Sequence, residues 1–321
     1  MTSSPDPVRR QIPAHAHEAR WSAPDGFRLR RIDFDHGSGV AAPRGSLLFL
    51  PGRGDSYEKY LETLARWHQA GWRVTAVDWR GQAGSGRLGD DRVTGHVDHF
   101  GLWVDDLADF WTQWMEQGVG PRVVVGHSMG GHLALRAMAE GRIAPDVAVL
   151  VAPMLGLAGK QMPAVITDAA ARAMRWIRGA TTPAWRWSEK PGELPQDRID
   201  LLTHDESRYA DEVWWRSERP ELAMGPGSWG WVAGAIGSMR WLARETVLRR
   251  VAAPVMFVAT GADRLVSADA IRRANRLIPD SRLVEFGPDC AHEILRETDA
   301  IRDRALLAID DFLDEAAPPA S

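Results

Sequence analysis

The chain has 321 residues, a net charge of −4 and 45% hydrophobic residues, enough for one large α/β domain or for a core plus an insertion. That charge gives no reason to expect nucleic acid, and a single cysteine excludes both an internal disulfide framework and a Cys-x-x-Cys metal site. Met1–Arg20 holds no apolar run of signal-peptide length, and no stretch approaches a membrane span, so the expectation is a cytoplasmic protein.

Residues 19–34 read as a hairpin around the Pro24-Asp25-Gly26 turn. Leu47–Leu50 is a continuous apolar run, as expected of a strand buried on both faces, and it ends in the loop Pro51-Gly52-Arg53-Gly54. Asp55 or Ser56 then reads as the cap of a helix in which Tyr57, Tyr60, Leu61 and Leu64 share a face, ending at Gly71. Trp72–Val77 is the next strand and Asp78–Gly86 the next loop. His99–Gln117 has helical period. Val123–Val125 reads as a short buried strand, followed by a helix that Gly141 stops. Val147–Val151, Pro254–Ala259 and Arg282–Phe286 read as strands, and Ser267–Ile278 and Glu297–Leu313 as helices. The ends, Thr2–Pro7 and Ala316–Ser321, read as frayed. Strand and helix alternate on both sides of a gap, which implies an α/β protein with a mostly parallel sheet covered by helices.

The gap has another character. Eight of the 15 tryptophans fall in residues 153–249, with Met162 and Met174, among prolines and glycines that break the segment into short helices. We therefore expect residues 1–152 and 250–321 to form the core and 153–249 a helical cap. About half of the cap aromatics should form its own core. Trp214, Trp215, Trp229 and Trp231 are the candidates for receiving an apolar chain.

Between the valine strand and its helix lies Gly126-His127-Ser128-Met129-Gly130, the G-x-S-x-G pattern of a nucleophile elbow. A serine on so sharp a turn needs small neighbours, and the helix that follows aims its free N–H groups at the place where a negative oxygen develops. A serine nucleophile needs a base and a group to orient it, in chain order Ser, then Asp or Glu, then His. Asp263, in Gly261-Ala262-Asp263 after the strand beyond the gap, is the candidate acid; Asp269 fits better in the first turn of the next helix. His292 is the histidine that follows the last strand and is the candidate base. The expected oxyanion donors are the backbone N–H groups of Met129 and Arg53. His127 should point away from Ser128 and support the elbow. The pairs His15/His17 and His96/His99 have no further ligand at metal spacing, and Cys290 reads as a passive neighbour of the His292 loop.

With these residues assembled, the chain resembles the α/β-hydrolases, and more closely the lysophospholipase and monoacylglycerol lipase family in its lysophospholipase L2-like branch. The resemblance runs from about Arg28 to Leu313. It rests on Leu50-Pro51-Gly52-Arg53, Tyr57-Glu58-Lys59-Tyr60, Asp78-Trp79-Arg80-Gly81-Gln82, the elbow through His132, Gly261-Ala262-Asp263, Ala291–Leu295, and Pro220–Ala223 with Trp229-Gly230-Trp231. Two positions depart from the pattern. Pro51 stands where many lipases of the wider family have histidine, and Ala83 replaces a usual glycine, a small change expected to be tolerated. The resemblance implies hydrolysis of lipids with one acyl chain, Ser128 attacking, His292 acting as base and then acid, and Asp263 holding the imidazole. It implies a small lipid or ester substrate, no cofactor, no metal, and transient contact of the cap with a membrane or micelle. The alternatives are a carboxylesterase for short esters, an acyltransferase, or a non-catalytic receptor on the same scaffold.

Overall fold

The computed structural model describes residues 7–34, 43–159, 164–186 and 196–318; Met162, Trp187 and the outermost terminal residues lie outside that set. Among the described residues one sheet forms from β1 (Ala16–Ser22), β2 (Arg28–Phe34), β3 (Gly45–Leu50), β4 (Trp72–Val77), β5 (Arg122–His127), β6 (Val147–Val151), β7 (Val255–Thr260) and β8 (Ser281–Phe286). Their spatial order is β1-β2-β4-β3-β5-β6-β7-β8. β1 and β2 make the hairpin, with Trp21 opposite Leu29, and β2 also runs antiparallel to β4. Every other neighbouring pair is parallel. Every residue of β3, β6 and β7 is buried, which requires cover on both faces and explains the apolar runs Leu47–Leu50, Val147–Val151 and Val255–Ala259 within them.

The helices, in chain order, are α1 (Leu61–Gln69), α2 (Gly101–Gln117), α3 (Met129–Ala139), α4 (Ala164–Arg178), α5 (Gln196–Leu202), α6 (Glu206–Glu218), α7 (Trp229–Leu242), α8 (Glu245–Leu248), α9 (Ala268–Leu277) and α10 (Asp299–Ala316). From β3 the chain crosses outward to β4, then returns past β3 to β5. The loops after β3 and β5 therefore leave in opposite directions from adjacent strands, and the crevice between them is where such sheets bind ligands.

β4 and β6 coincide with the expected strands, but three local expectations need correction. Neither Asp55 nor Ser56 caps a helix: Tyr57–Tyr60 is a 3-10 turn without a side-chain cap, and α1 starts only at Leu61. Asp55 is instead turned inward to other donors. The closing helix starts at Asp299, because the buried Glu297 carboxylate accepts from the N–H groups of Ala291 and Thr298, and it runs through Ala316 rather than fraying there. Ala83 has φ +42°, a conformation in which alanine is strained and glycine is not, so the exchange at this place carries a cost.

Between β6 and β7 lie α4 to α8. Asp205 caps α6 by accepting from Arg208 N–H, and Ser228 caps α7 by accepting from Trp231 N–H, both at 3.0 Å. Helix α4 packs along α7. Helix α6 is fastened at its other side by Arg9 and Arg10, each 2.6 Å from Asp211, and by Trp215 Nε1–H donating to the Arg9 carbonyl.

Candidate active site

Ser128 follows β5 and precedes α3 with φ +50° and ψ −114°, a strained turn that lifts its hydroxyl out of the sheet. The glycines around it are required by space. A Cβ on Gly130 would lie 2.1 Å from the Leu50 carbonyl oxygen, and one on Gly126 would lie 2.7 Å from Gly131 Cα. Elbow, β3 loop and α3 therefore pack backbone against backbone.

Asp263 and His292 arrive from the loops after β7 and β8, neighbouring strands at the far side of the sheet. His292 Nε2 lies 3.0 Å from Ser128 Oγ, and His292 Nδ1 lies 2.7 Å from Asp263 Oδ2. The other Asp263 oxygen accepts from the N–H groups of Leu265 at 2.8 Å and Val266 at 2.9 Å. Burial works to raise the Asp263 carboxyl, yet the His292 ring and those hydrogen bonds hold it below the usual carboxylate range. The charged aspartate fixes the imidazole with a proton on Nδ1, leaving Nε2 able to take the proton of Ser128 Oγ. Asp269 sits in the first turn of α9, away from this chain of bonds.

Met129 is the first residue of α3, so its N–H belongs to the unpaired N-terminal turn beside Ser128. Arg53 faces the same cavity from the β3 loop, its guanidinium donating to the Gly225 carbonyl at 2.8 Å and lying over the rings of Trp185 and Trp231 at 5.1 and 5.0 Å. The buried His127 ring turns toward that loop, with Nδ1 3.1 Å from Asp55 Oδ2 and 2.9 Å from Tyr60 Oη. His132 sits in α3 with Nε2 2.7 Å from Ser238 Oγ of α7; burial, then the charge of Arg136, push it down to about 3, so it stays neutral. Cys290 is buried, and burial pushes its thiol well above the usual range. His96 bonds Ser228 Oγ, His99 accepts from Leu102 N–H in the first turn of α2, and His15 stacks on His68.

The site opens into a cavity of about 200 Å³. Met154, Leu157, Leu202, Leu265, Val266, Trp185 and Trp231 give it an apolar wall, while Arg53, Arg198 and Arg216 add cations. Of the four expected aromatics, Trp231 lines it. Trp214, Trp215 and Trp229 do not: Trp215 is buried against the N-terminal segment and Trp214 packs on Arg10, so this pair serves the seating of α6. Trp185 takes the place expected of them.

Beside the cavity, a cluster that motif reading did not assemble joins the β3 loop, α6 and the His292 loop. Lys59 Nζ lies 2.6 Å from Asp55 Oδ1, 2.6 Å from Glu293 Oε1 and 3.0 Å from Glu212 Oε2. Arg296 pairs with Glu293 and Glu212, and Arg216 with Glu212. Three acids meet three bases in a nearly dry place. Burial opposes the charge on Asp55, but Lys59 and His127 hold its carboxyl well below the usual range.

The sheet order, the antiparallel second strand and a Ser–His–Asp chain on the loops after β5, β8 and β7 define an α/β-hydrolase. The chain belongs to the family described as serine aminopeptidase, S33, whose model matches residues 41–299. Lysophospholipase L2 of Escherichia coli K12 is 32% identical over 94% of this chain and 88% of that protein. Among solved structures, a soluble variant of monoglyceride lipase from Saccharomyces cerevisiae aligns over 97% of both chains with a TM-score of 0.74 at 18% identity. Monoacylglycerol lipase of Paleococcus ferrophilus aligns over 90% of this chain and 99% of that one, with a TM-score of 0.66 at 21% identity.

Proposed function

We propose that this chain hydrolyses the carboxylic ester of lipids bearing one acyl chain, lysophospholipids or monoacylglycerols, through an acyl-enzyme on Ser128. The observation that carries the reading is the Ser128–His292–Asp263 chain opening on a cavity with an apolar wall. The names of the bacterial relative and of the yeast neighbour support the same substrate class. In this reading residues 1–152 and 250–321 are the catalytic core and 153–249 the cap.

Ser128 Oγ attacks the ester carbonyl carbon as its proton passes to His292 Nε2, and the N–H groups of Met129 and Arg53 receive the oxyanion. The tetrahedral adduct expels the alcohol, which takes the proton from His292. Water then attacks the acyl-enzyme, giving its proton to His292, and the fatty acid leaves as that proton returns to Ser128 Oγ. Asp263 stays charged throughout and stabilises the imidazolium. The cationic side chain of Arg198 on the same cavity suits a leaving group that carries phosphate.

A second face bears on where the substrate is met. Helix α4 presents Val165, Ile166, Trp176 and Ile177 to solvent, Trp176 at 86% exposure, with Arg172 and Arg178 on the same helix. An exposed apolar stripe edged by arginines fits the surface of an anionic bilayer. Among the described residues no helix is long and apolar enough to cross a membrane, so the contact proposed is peripheral.

Hydrolysis of p-nitrophenyl esters from C2 to C16 tests the reading, with Ser128→Ala as control. We expect a rate peaking at C8 or longer that falls about 10⁴-fold or more in the variant, and turnover of lysophosphatidylcholine above that of monoacylglycerol. A peak at C2 to C4 would replace the lipid substrate with a short ester, and equal rates in both proteins would overturn the role of Ser128. Trp176→Ser should weaken co-flotation with anionic vesicles while leaving turnover of a soluble ester unchanged; unaltered flotation removes α4 from the membrane contact.

A further inference from the structure

Three consecutive amides, those of Gly52, Arg53 and Gly54, form the turn after β3, and each outer one is held by a buried side chain. Gly52 N–H donates to Asp55 Oδ2 at 3.0 Å, and Gly54 N–H donates to Gln82 Oε1 at 2.8 Å. Neither holder is loose. The same Asp55 oxygen accepts from Tyr60 Oη at 2.9 Å, and its partner oxygen is 2.6 Å from Lys59 Nζ. Gln82 comes from the loop after β4 and is buried, and its amide nitrogen donates weakly to Met129 Sδ at 3.9 Å. Gly52 has no room for a Cβ, which would lie 2.7 Å from Asp55 Oδ2, so the turn is set close against its holder.

Peptide groups are planar. When the amides on both sides are fixed in direction, the Arg53 peptide between them has little freedom to rotate. We infer that Gln82, with Asp55, is a positioning residue for the oxyanion donors: by holding Gly54 N–H it orients the Arg53 N–H, while its amide rests on the Met129 side chain. This rests on the serine-hydrolase reading above. The function of such a carboxamide is geometric, because a donor helps only when it meets the oxygen of the tetrahedral adduct rather than that of the ground-state carbonyl. A purely structural Gln82 would stabilise the loop without distinguishing the two.

Gln82→Met keeps the volume and removes the acceptor for Gly54 N–H; Gln82→Asn keeps the carboxamide but is one methylene short. Active sites are counted by end-point labelling with a fluorophosphonate, so turnover is read per folded molecule. Removing a donor outright typically costs about 10² to 10³ in rate, and misplacing one should cost about 10 to 100. We expect kcat for p-nitrophenyl octanoate to fall by that factor with KM moved less than about threefold. An octyl trifluoromethyl ketone, which forms a tetrahedral adduct, should lose affinity in proportion to kcat/KM, while inhibition by octanoate stays unchanged. Gln82→Glu restores an acceptor and should recover part of the rate. The inference is overturned if kcat per site is unchanged, if ketone and octanoate weaken together, or if both variants fail to label, which would assign Gln82 to folding alone. A wild-type protein that labels but turns over no ester would instead overturn the functional reading.

Discussion

The core and the segment between β6 and β7 use the same residue type in opposite ways. Trp67, Trp72, Trp103, Trp111 and Trp114 are fully buried around the sheet, whereas Trp176 and Trp185 of the inserted segment are exposed. In the core, tryptophan fills space between a sheet buried on both faces and its covering helices. In the insertion, part of the aromatic surface is left facing the cavity and the solvent. The difference teaches that tryptophan count alone marks neither core nor site. The covering element decides.

Three paired measurements sharpen or break this contrast. Trp67→Ala, at 0% exposure, should lower the free energy of unfolding by about 3 to 5 kcal/mol, and Trp176→Ala by no more than about 0.5 kcal/mol. Comparable losses in urea titrations would mean that α4 is packed against something in solution. Gly130→Ala drives a Cβ into the Leu50 carbonyl and should cost about 3 kcal/mol. Gly237→Ala, inside α7 with nothing nearer than 3.9 Å, should stabilise by about 0.5 to 1 kcal/mol. A destabilising Gly237→Ala would show that α7 is held as tightly as the elbow.

The smallest effect concerns pH. Asp263 and Asp205 both titrate below the usual range, Asp205 because its bonds to Ser207 and Arg208 N–H outweigh its burial. A depressed carboxyl contributes stability that is complete above its unfolded value of about 3.9 and lost as pH falls through the folded value. The gap in urea midpoint between wild type and Asp263→Asn should therefore be present near neutral pH and close as pH falls well below that value. Asp205→Asn should show a smaller gap of the same sign, since Asp205 is partly exposed and asparagine still caps. A gap that persists in acid would assign the effect to packing.

Much of the core was legible because its signals are local. β6 declares itself as an apolar run, and Ser128, Asp263 and His292 follow from their order after three strands. What escaped depends on pairs distant in the chain. Lys59 meets Glu293 and Glu212 across more than 150 residues, which no spacing rule anticipates. Gln82 is a carboxamide in a loop, where residue type carries no period to read. Asp55 reads as a helix cap because its local context suits one, but its carboxylate turns instead to Gly52 N–H, to Lys59 and to the distant His127. Trp214 and Trp215 look like a binding surface in sequence, but helical periodicity does not say that the N-terminal segment covers them.

The neutral cluster around Lys59 has a consequence for exchange between conformers. Swinging α6 outward would part Glu212 from Lys59 and Arg296 and leave buried charge uncompensated, at about 3 to 5 kcal/mol for a broken pair. Such an open form would make up roughly one molecule in a few hundred to a few thousand. Opening the cavity by that movement is therefore rare, and α6 stays seated in nearly every molecule.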